Sequence, residues 1–218
     1  MTTILGIDEA RKGPIIGDMV ICGVLIEDYD EEKLKNLGVK DSKLLTPIQR
    51  EKLFPKILKI IKKHKLVIIS PQEIDSALNS QEFNLNRLEA IKTAMIINEL
   101  KPDKAIIDCP SPNKESYKNY LSIFLKHKPE LLLEWNAERY PAVAAASILA
   151  KVTGDERLEK LKKQYNIEFG SGYMSDERTQ KFLEANHSDP KFDKIFRKSW
   201  LPYQNHKLKQ RNLMDFKK

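Results

Sequence analysis

Apolar positions along this chain follow two periods. Residues 3–8 alternate apolar and small side chains, and residues 19–26 are rich in β-branched ones. Both predict strands, joined through a turn at Gly13, Pro14 and Gly17. The period then lengthens, and a short helix is predicted over 31–37. Thr46 followed by Pro47 marks a helix start, behind which Leu53, Ile57, Ile60 and Ile61 share one face with lysines opposite. Residues 66–70 form a short apolar run that predicts a buried strand. Leu85, Leu88, Ile91, Ala94, Met95 and Leu100 recur at helical spacing over 82–100. Strands are predicted at 104–108 and 130–134, a helix over 113–126 between them, and a long alanine-rich helix over 141–165. The remainder reads as short helices and loops.

A strand pair followed by alternating helices and strands predicts an α/β fold, one mixed β-sheet flanked by helices on both faces. No Pro/Gly/Ser-rich linker, repeat or low-complexity tract interrupts it. Residues 1–168 are expected to form the main domain, 169–209 a helical C-terminal extension packed on it, and 210–218 a tail.

Composition narrows the class. With 218 residues, 41% hydrophobic and 32% charged, the chain has material for an ordinary core and does not read as disordered. No apolar run approaches the ~18 residues of a membrane helix, and the N-terminus lacks the basic-then-apolar pattern of a secretion signal. Two cysteines are too few for a disulfide framework or a zinc site. His64, His127, His187 and His206 have no ligand-like spacing. A cytoplasmic monomer with no membrane association is expected. The net charge of +7 is local: residues 50–65 and 196–218 each carry seven basic residues against one acid. Basic segments on a slightly acidic remainder suit a nucleic-acid partner. Lysine-rich helices are as readily explained as solvated faces.

Three acids are placed for chemistry. Asp8 and Glu9 close the first strand and Asp108 a later one. Ligands of open α/β sheets sit beyond strand ends, where such acids can converge around a hard cation. By spacing alone, an acid such as Asp108 is first a turn residue or helix cap.

The sequence Gly6-Ile7-Asp8-Glu9-Ala10-Arg11-Lys12-Gly13-Pro14 resembles the signature of ribonuclease HII, G-I-D-E-A-G-(R/K)-G-P. The likeness continues through Asp41-Ser42-Lys43, the strand-end Asp108, the helix Tyr140-Pro141 to Lys151-Val152, Gly170-Ser171-Gly172-Tyr173 and Lys198-Ser199-Trp200, all in family order. The archaeal form is the most similar. The resemblance implies an RNase H-like fold and cleavage of RNA in RNA–DNA hybrids and at single ribonucleotides in duplex DNA, with two Mg²⁺ or Mn²⁺ ions. It implies Asp8, Glu9 and Asp108 as metal ligands, and Ser42, Lys43, Ser147 and Lys151 as phosphate-binding residues. The backbone of Arg11, Lys12 and Gly13 would read the 2′-OH, and Tyr173 would press on the neighbouring sugar. Read without the resemblance, Tyr173 and Ser147 are packing residues and Lys151 a solvated one.

Departures from the pattern fall at the site. Counting back from Pro141 puts the family's fourth acid at Ala137, which implies a lost metal ligand and a rate lowered by ~10²-fold or more. Glu138 and Glu134 are nearby substitutes, Glu138 requiring a change of backbone because adjacent side chains diverge. Arg11 replaces a glycine, where a left-handed conformation costs ~1–2 kcal/mol and the side chain could block the 2′-OH pocket. Gly154 stands where arginine is usual, and Asp18 where proline is. An alternative follows, a hybrid-binding relative with weak or no catalysis. Finally, Gln210, Leu213 and Phe216 resemble, in part, a sliding-clamp docking peptide; the other reading of this segment is an amphipathic terminal turn packed on its own domain.

Overall fold

The computed structural model describes residues 1–40, 42–81 and 83–206. In chain order it contains β1 (Thr3–Ala10), β2 (Met19–Glu27), α1 (Asp30–Leu37), α2 (Pro47–Leu58), β3 (Lys63–Ile69), α3 (Pro71–Leu78), α4 (Leu85–Leu100), β4 (Lys104–Asp108), α5 (Lys114–Ile123), β5 (Glu130–Glu134), α6 (Pro141–Tyr165) and α7 (Glu177–Asn186). The strands form one mixed sheet in the order β3-β2-β1-β4-β5. β2 pairs antiparallel with both β1 and β3, whereas β4 runs parallel to β1 and β5.

Each sheet face carries its own apolar layer. On one, Leu5, Ile7, Ile21 and Ile107 pack against α3, α4 and α5. On the other, Ala10, Val20, Cys22 and Val24 meet α1, α2 and the first half of α6. The alanines of α6 let its backbone lie directly on β1. A Cβ on Gly6 would sit 2.2 Å from the Ala142 carbonyl carbon, so only glycine fits there. A third cluster joins Ile15, Ile16 and Leu158 to Phe169, Phe182, Phe192 and Phe196, seating the segment after 169 on the far end of α6.

The element types agree with the sequence pattern except in one place. Helix α3 was not expected. Ser70, assigned to a strand, instead caps it: its hydroxyl accepts from the Glu73 N–H, and Glu73 accepts from the Ser70 N–H. α4 begins only behind its Asn84 cap, and Met95 on it is 51% exposed rather than on the packed stripe. Arg50, counted in the basic block, is buried and donates to the carbonyls of Ser42 and Leu45. Among the described residues no helix is long and apolar enough to cross a membrane.

Candidate active site

Strand geometry places the acids. Consecutive side chains of β1 point to opposite faces, so Asp8 faces α6 and Glu9 faces α4. The parallel register that pairs Ile7 with Ile107 sets Asp108 beside Asp8. A third acid arrives from a 3-10 turn at Ala137–Arg139, opened by Asn136 in the left-handed region at φ 55. This turn buries Ala137 against Ile106 and Val143 and turns Glu138 to the site. Carboxylate oxygens of Asp8, Asp108 and Glu138 lie within 4.8 Å of one another.

Such a cluster is electrostatically costly. Burial pushes the Asp8 carboxyl up to about 7, with Asp108 and Glu138 adding to the shift and a hydrogen bond from Ser147 opposing it. Asp108 is raised by the same cause, against an N–H bond from Ala137 at 3.0 Å. The Lys43 ammonium, mostly exposed, stands 3.4 Å from Glu138. Three oxygen donors this close together, with the Asp8 and Asp108 carboxyls raised by burial, fit a hard divalent cation.

Glu9 lies on the other face of β1, outside that trio. Burial is the main cause holding its carboxyl well above the usual range, followed by the neighbouring charge of Glu89. Glu89 on α4 is 1% exposed and bonds the Lys12 ammonium at 2.9 Å, while Glu9 is 4.0 Å from the same ammonium. Sequence reasoning missed Glu89. Its signal was an acid beside Leu88 on the interior stripe of a predicted helix.

The remaining candidates ring these acids. The Ser42 and Ser147 hydroxyls are 2.9 Å apart, both buried, in a chain that ends on Asp8. Lys151 pairs with Asp155 at 2.8 Å. The Tyr173 ring packs against Gly13, its Cε1 3.5 Å from where a Cβ would be. The Gly13 carbonyl accepts from the Trp200 indole at 3.2 Å. Arg197, fully buried and also missed, donates to the carbonyls of Lys12, Arg11 and Gly17 at 2.6, 2.8 and 3.0 Å. A lone arginine ahead of Lys198-Ser199-Trp200 gave little warning of that role.

Several expectations are corrected. Ala137 lies in an apolar cluster, and the carboxylate that joins Asp8 and Asp108 is that of Glu138, one residue nearer Pro141, aimed inward by the Asn136 turn. Matching the family's Ala-acid dipeptide to Ala137-Glu138, instead of counting from the proline, would have found it. Glu134 is no substitute, since Lys114 and Arg139 neutralise it at 3.0 and 3.3 Å. The Arg11 side chain does not project to the surface. It is 4% exposed, with its guanidinium on the Ile16 and Ser171 carbonyls inside the protein. With a third carboxylate beside Asp8 and Asp108 and the Arg11 side chain buried, neither departure supports a weakly catalytic relative. Gln210, Leu213 and Phe216 lie outside the described residues.

Comparison with known proteins identifies the family and the fold. The family model for ribonuclease HII matches residues 5–202. A ribonuclease HII from Pyrococcus furiosus is 43% identical over 199 residues, covering 89% of this chain and 87% of that relative. The ribonuclease HII of Nanoarchaeum equitans is 46% identical, covering 89% and 92%. The crystal structure of ribonuclease H2 from Pyrococcus horikoshii superposes with a TM-score of 0.85 at 38% identity, over 96% of this chain and 99% of that one. The RNase HII complexed with PCNA from Archaeoglobus fulgidus gives a TM-score of 0.81 at 36% identity, over 92% and 95%. A family model matched over residues 5–202, and relatives more than 40% identical over about nine-tenths of the chain, place this protein in the ribonuclease HII family.

Proposed function

We propose that this protein is a metal-dependent endonuclease that degrades RNA in RNA–DNA hybrids and incises duplex DNA at single ribonucleotides. One observation carries the reading: the carboxylates of Asp8 and Asp108, at the ends of adjacent strands, converge with that of Glu138 from the 137–139 turn. Asp8, Asp108 and Glu138, with Glu9 approaching from the opposite face, would hold Mg²⁺ or Mn²⁺. Bound there, such ions would supply a hydroxide nucleophile at neutral pH and offset charge on the leaving 3′-oxygen.

The chain's own residues do the positioning. Lys43 and Lys151 offer point charges to phosphates flanking the cut, and the Ser42–Ser147 hydroxyl pair orients Asp8 while facing the same strand. Backbone groups of Lys12 and Gly13 would read the 2′-OH, the feature that separates RNA from DNA. Arg197 and Trp200 hold that backbone from behind. Tyr173 packs on the adjoining sugar. Of the proposed extension 169–209, the described residues 169–206 carry Tyr173, Arg197 and Trp200.

The test is cleavage of labelled duplex DNA containing one ribonucleotide, with an all-DNA duplex as control, in Mg²⁺ and in Mn²⁺. Incision confined to the ribonucleotide site supports the reading, and equal cutting of both duplexes or of neither refutes it. The tail containing Gln210, Leu213 and Phe216 is proposed to dock on a sliding clamp, as the PCNA complex of a relative suggests. Deleting 210–218 should abolish clamp binding, and unchanged affinity ends that idea. A cytoplasmic monomer is the proposed setting, consistent with two buried, unpaired cysteines. Sedimentation tests the monomer.

A further inference from the structure

Two departures from the family pattern, Arg11 and Gly154, are distant in sequence and meet in space. Arg11 sits in the left-handed region at φ 59, which L side chains rarely adopt. Its guanidinium donates to the carbonyls of Ile16 at 3.3 Å and Ser171 at 3.1 Å, and faces Asp155 at 3.7 Å. It also lies 5.8 Å from the centre of the Tyr173 ring. These partners belong to the loop that follows β1, the loop that carries Tyr173, and α6. The slot it occupies exists because of two glycines. A Cβ on Gly154 would sit 2.7 Å from the Arg11 Cδ, and one on Gly172 3.0 Å from its Nη2.

We infer that Arg11 is a positioning residue, seated in the slot left open by Gly154, that ties the Gly13 loop to the Tyr173 loop and so sets the gap that grips the sugar beside the cut. The inference rests on the reading of Gly13 and Tyr173 given under Proposed function. The backbone bond from Ile15 N–H to the Gly172 carbonyl at 2.8 Å fixes the base of the contact between the loops. Arg11 fixes the part next to Tyr173. A residue needed only to fill space would be apolar here. A guanidinium is buried because one nitrogen of its fork, Nη2, donates to carbonyls on both loops while the other, Nη1, faces Asp155 on α6, so three elements are joined at once. A side chain rooted at 154 would start along the path that Arg11 follows, so an arginine can reach the slot from either position but not from both.

The experiment compares Arg11→Gly, Gly154→Arg, the double variant and Tyr173→Ala in steady-state cleavage of duplex DNA with one ribonucleotide, alongside thermal melts. Arg11→Gly should lower kcat about tenfold with KM changed less than about threefold, because misplacement of a bound sugar acts on the chemical step. Gly154→Arg alone should lower the melting temperature, since two side chains then compete for one slot. The double variant should regain kcat to within about threefold of the parent, the non-additivity expected of residues sharing a site. Parental kcat in Arg11→Gly, or a double variant no better than the worse single, overturns the inference. Arg11→Lys is the second probe should Arg11→Gly not fold. It keeps the charge and loses the fork, so the same fall in kcat is expected and a parental kcat is equally fatal. Parental kcat in Tyr173→Ala overturns the underlying reading and the inference with it. An impaired Tyr173→Ala beside an unimpaired Arg11→Gly overturns the inference alone.

Discussion

Replacing Glu138 by glutamine should raise the stability of the metal-free protein and destroy its activity. The trio of Asp8, Asp108 and Glu138 places carboxylate oxygens within 4.8 Å of one another. At that separation each ionised pair repels by about 3–4 kcal/mol at an effective dielectric near 20. Glu138→Gln removes two of the three pairs. Part of that repulsion is already relieved, because Asp8, pushed up to about 7, holds a proton much of the time near neutrality. A net gain of about 2 kcal/mol remains, or a melting temperature raised by about 4–8 °C in a protein of this size. The same change deletes a metal donor, and kcat/KM should fall by about 10²–10³, as for other preorganised charge contributors. Ala137→Asp is the matched control. Ala137 is fully buried beside Ile106 and Val143. A carboxylate buried among those apolar side chains should destabilise the fold by about 3 kcal/mol or more without gaining rate. The assay is cleavage of end-labelled duplex DNA with one ribonucleotide in Mg²⁺ or Mn²⁺, with melts recorded in EDTA. Parental cleavage by Glu138→Gln, or faster cleavage by Ala137→Asp, would refute the assignment of the third acid.

Other outcomes follow from the same geometry. The folded Asp8 carboxyl titrates at about 7 instead of the ordinary 3.8. The metal-free protein therefore holds an extra proton between those values and loses stability as pH rises from about 4 to about 7, by a few kcal/mol at most. Denaturant titrations in EDTA should show that slope flattened by Asp8→Asn, and equal slopes would contradict it. Gly6→Ala drives a methyl to 2.2 Å from the Ala142 backbone, so the melt should drop by the equivalent of about 3 kcal/mol or more. A normal melt would mean that α6 does not sit on β1 as described. Lys12→Met leaves the buried Glu89 carboxylate without its cation at 2.9 Å and should cost about 3–5 kcal/mol, more than Glu89→Gln, which leaves the half-exposed lysine near Glu9. Reversal of that order in chemical denaturation would rule the pair out as a buried ion pair.

Local sequence was enough for whatever depends on neighbours in the chain. Hydrophobic period located the strands and most helices, because strand alternation and helical stripes are written residue by residue. Thr46-Pro47 marked the start of α2, since a cap and the proline behind it act within one turn. The Ser70-Pro71-Glu73 start of α3 was equally written there and was passed over in favour of the apolar run before it. Motif order pointed to Asp8, Glu9 and Asp108, but it could not say which carboxylates share a point in space. That was decided by the parallel register of β1 and β4, by strand alternation that sends Glu9 to the opposite face, and by the left-handed Asn136 that exchanges Ala137 for Glu138. Arg11 and Gly154 read separately as two losses. Only the packing of α6 against the β1 loop shows that one residue's missing side chain makes room for the other. Burial, charge coupling and close backbone approach depend on partners distant in the chain, and no single-sequence pattern carries those distances.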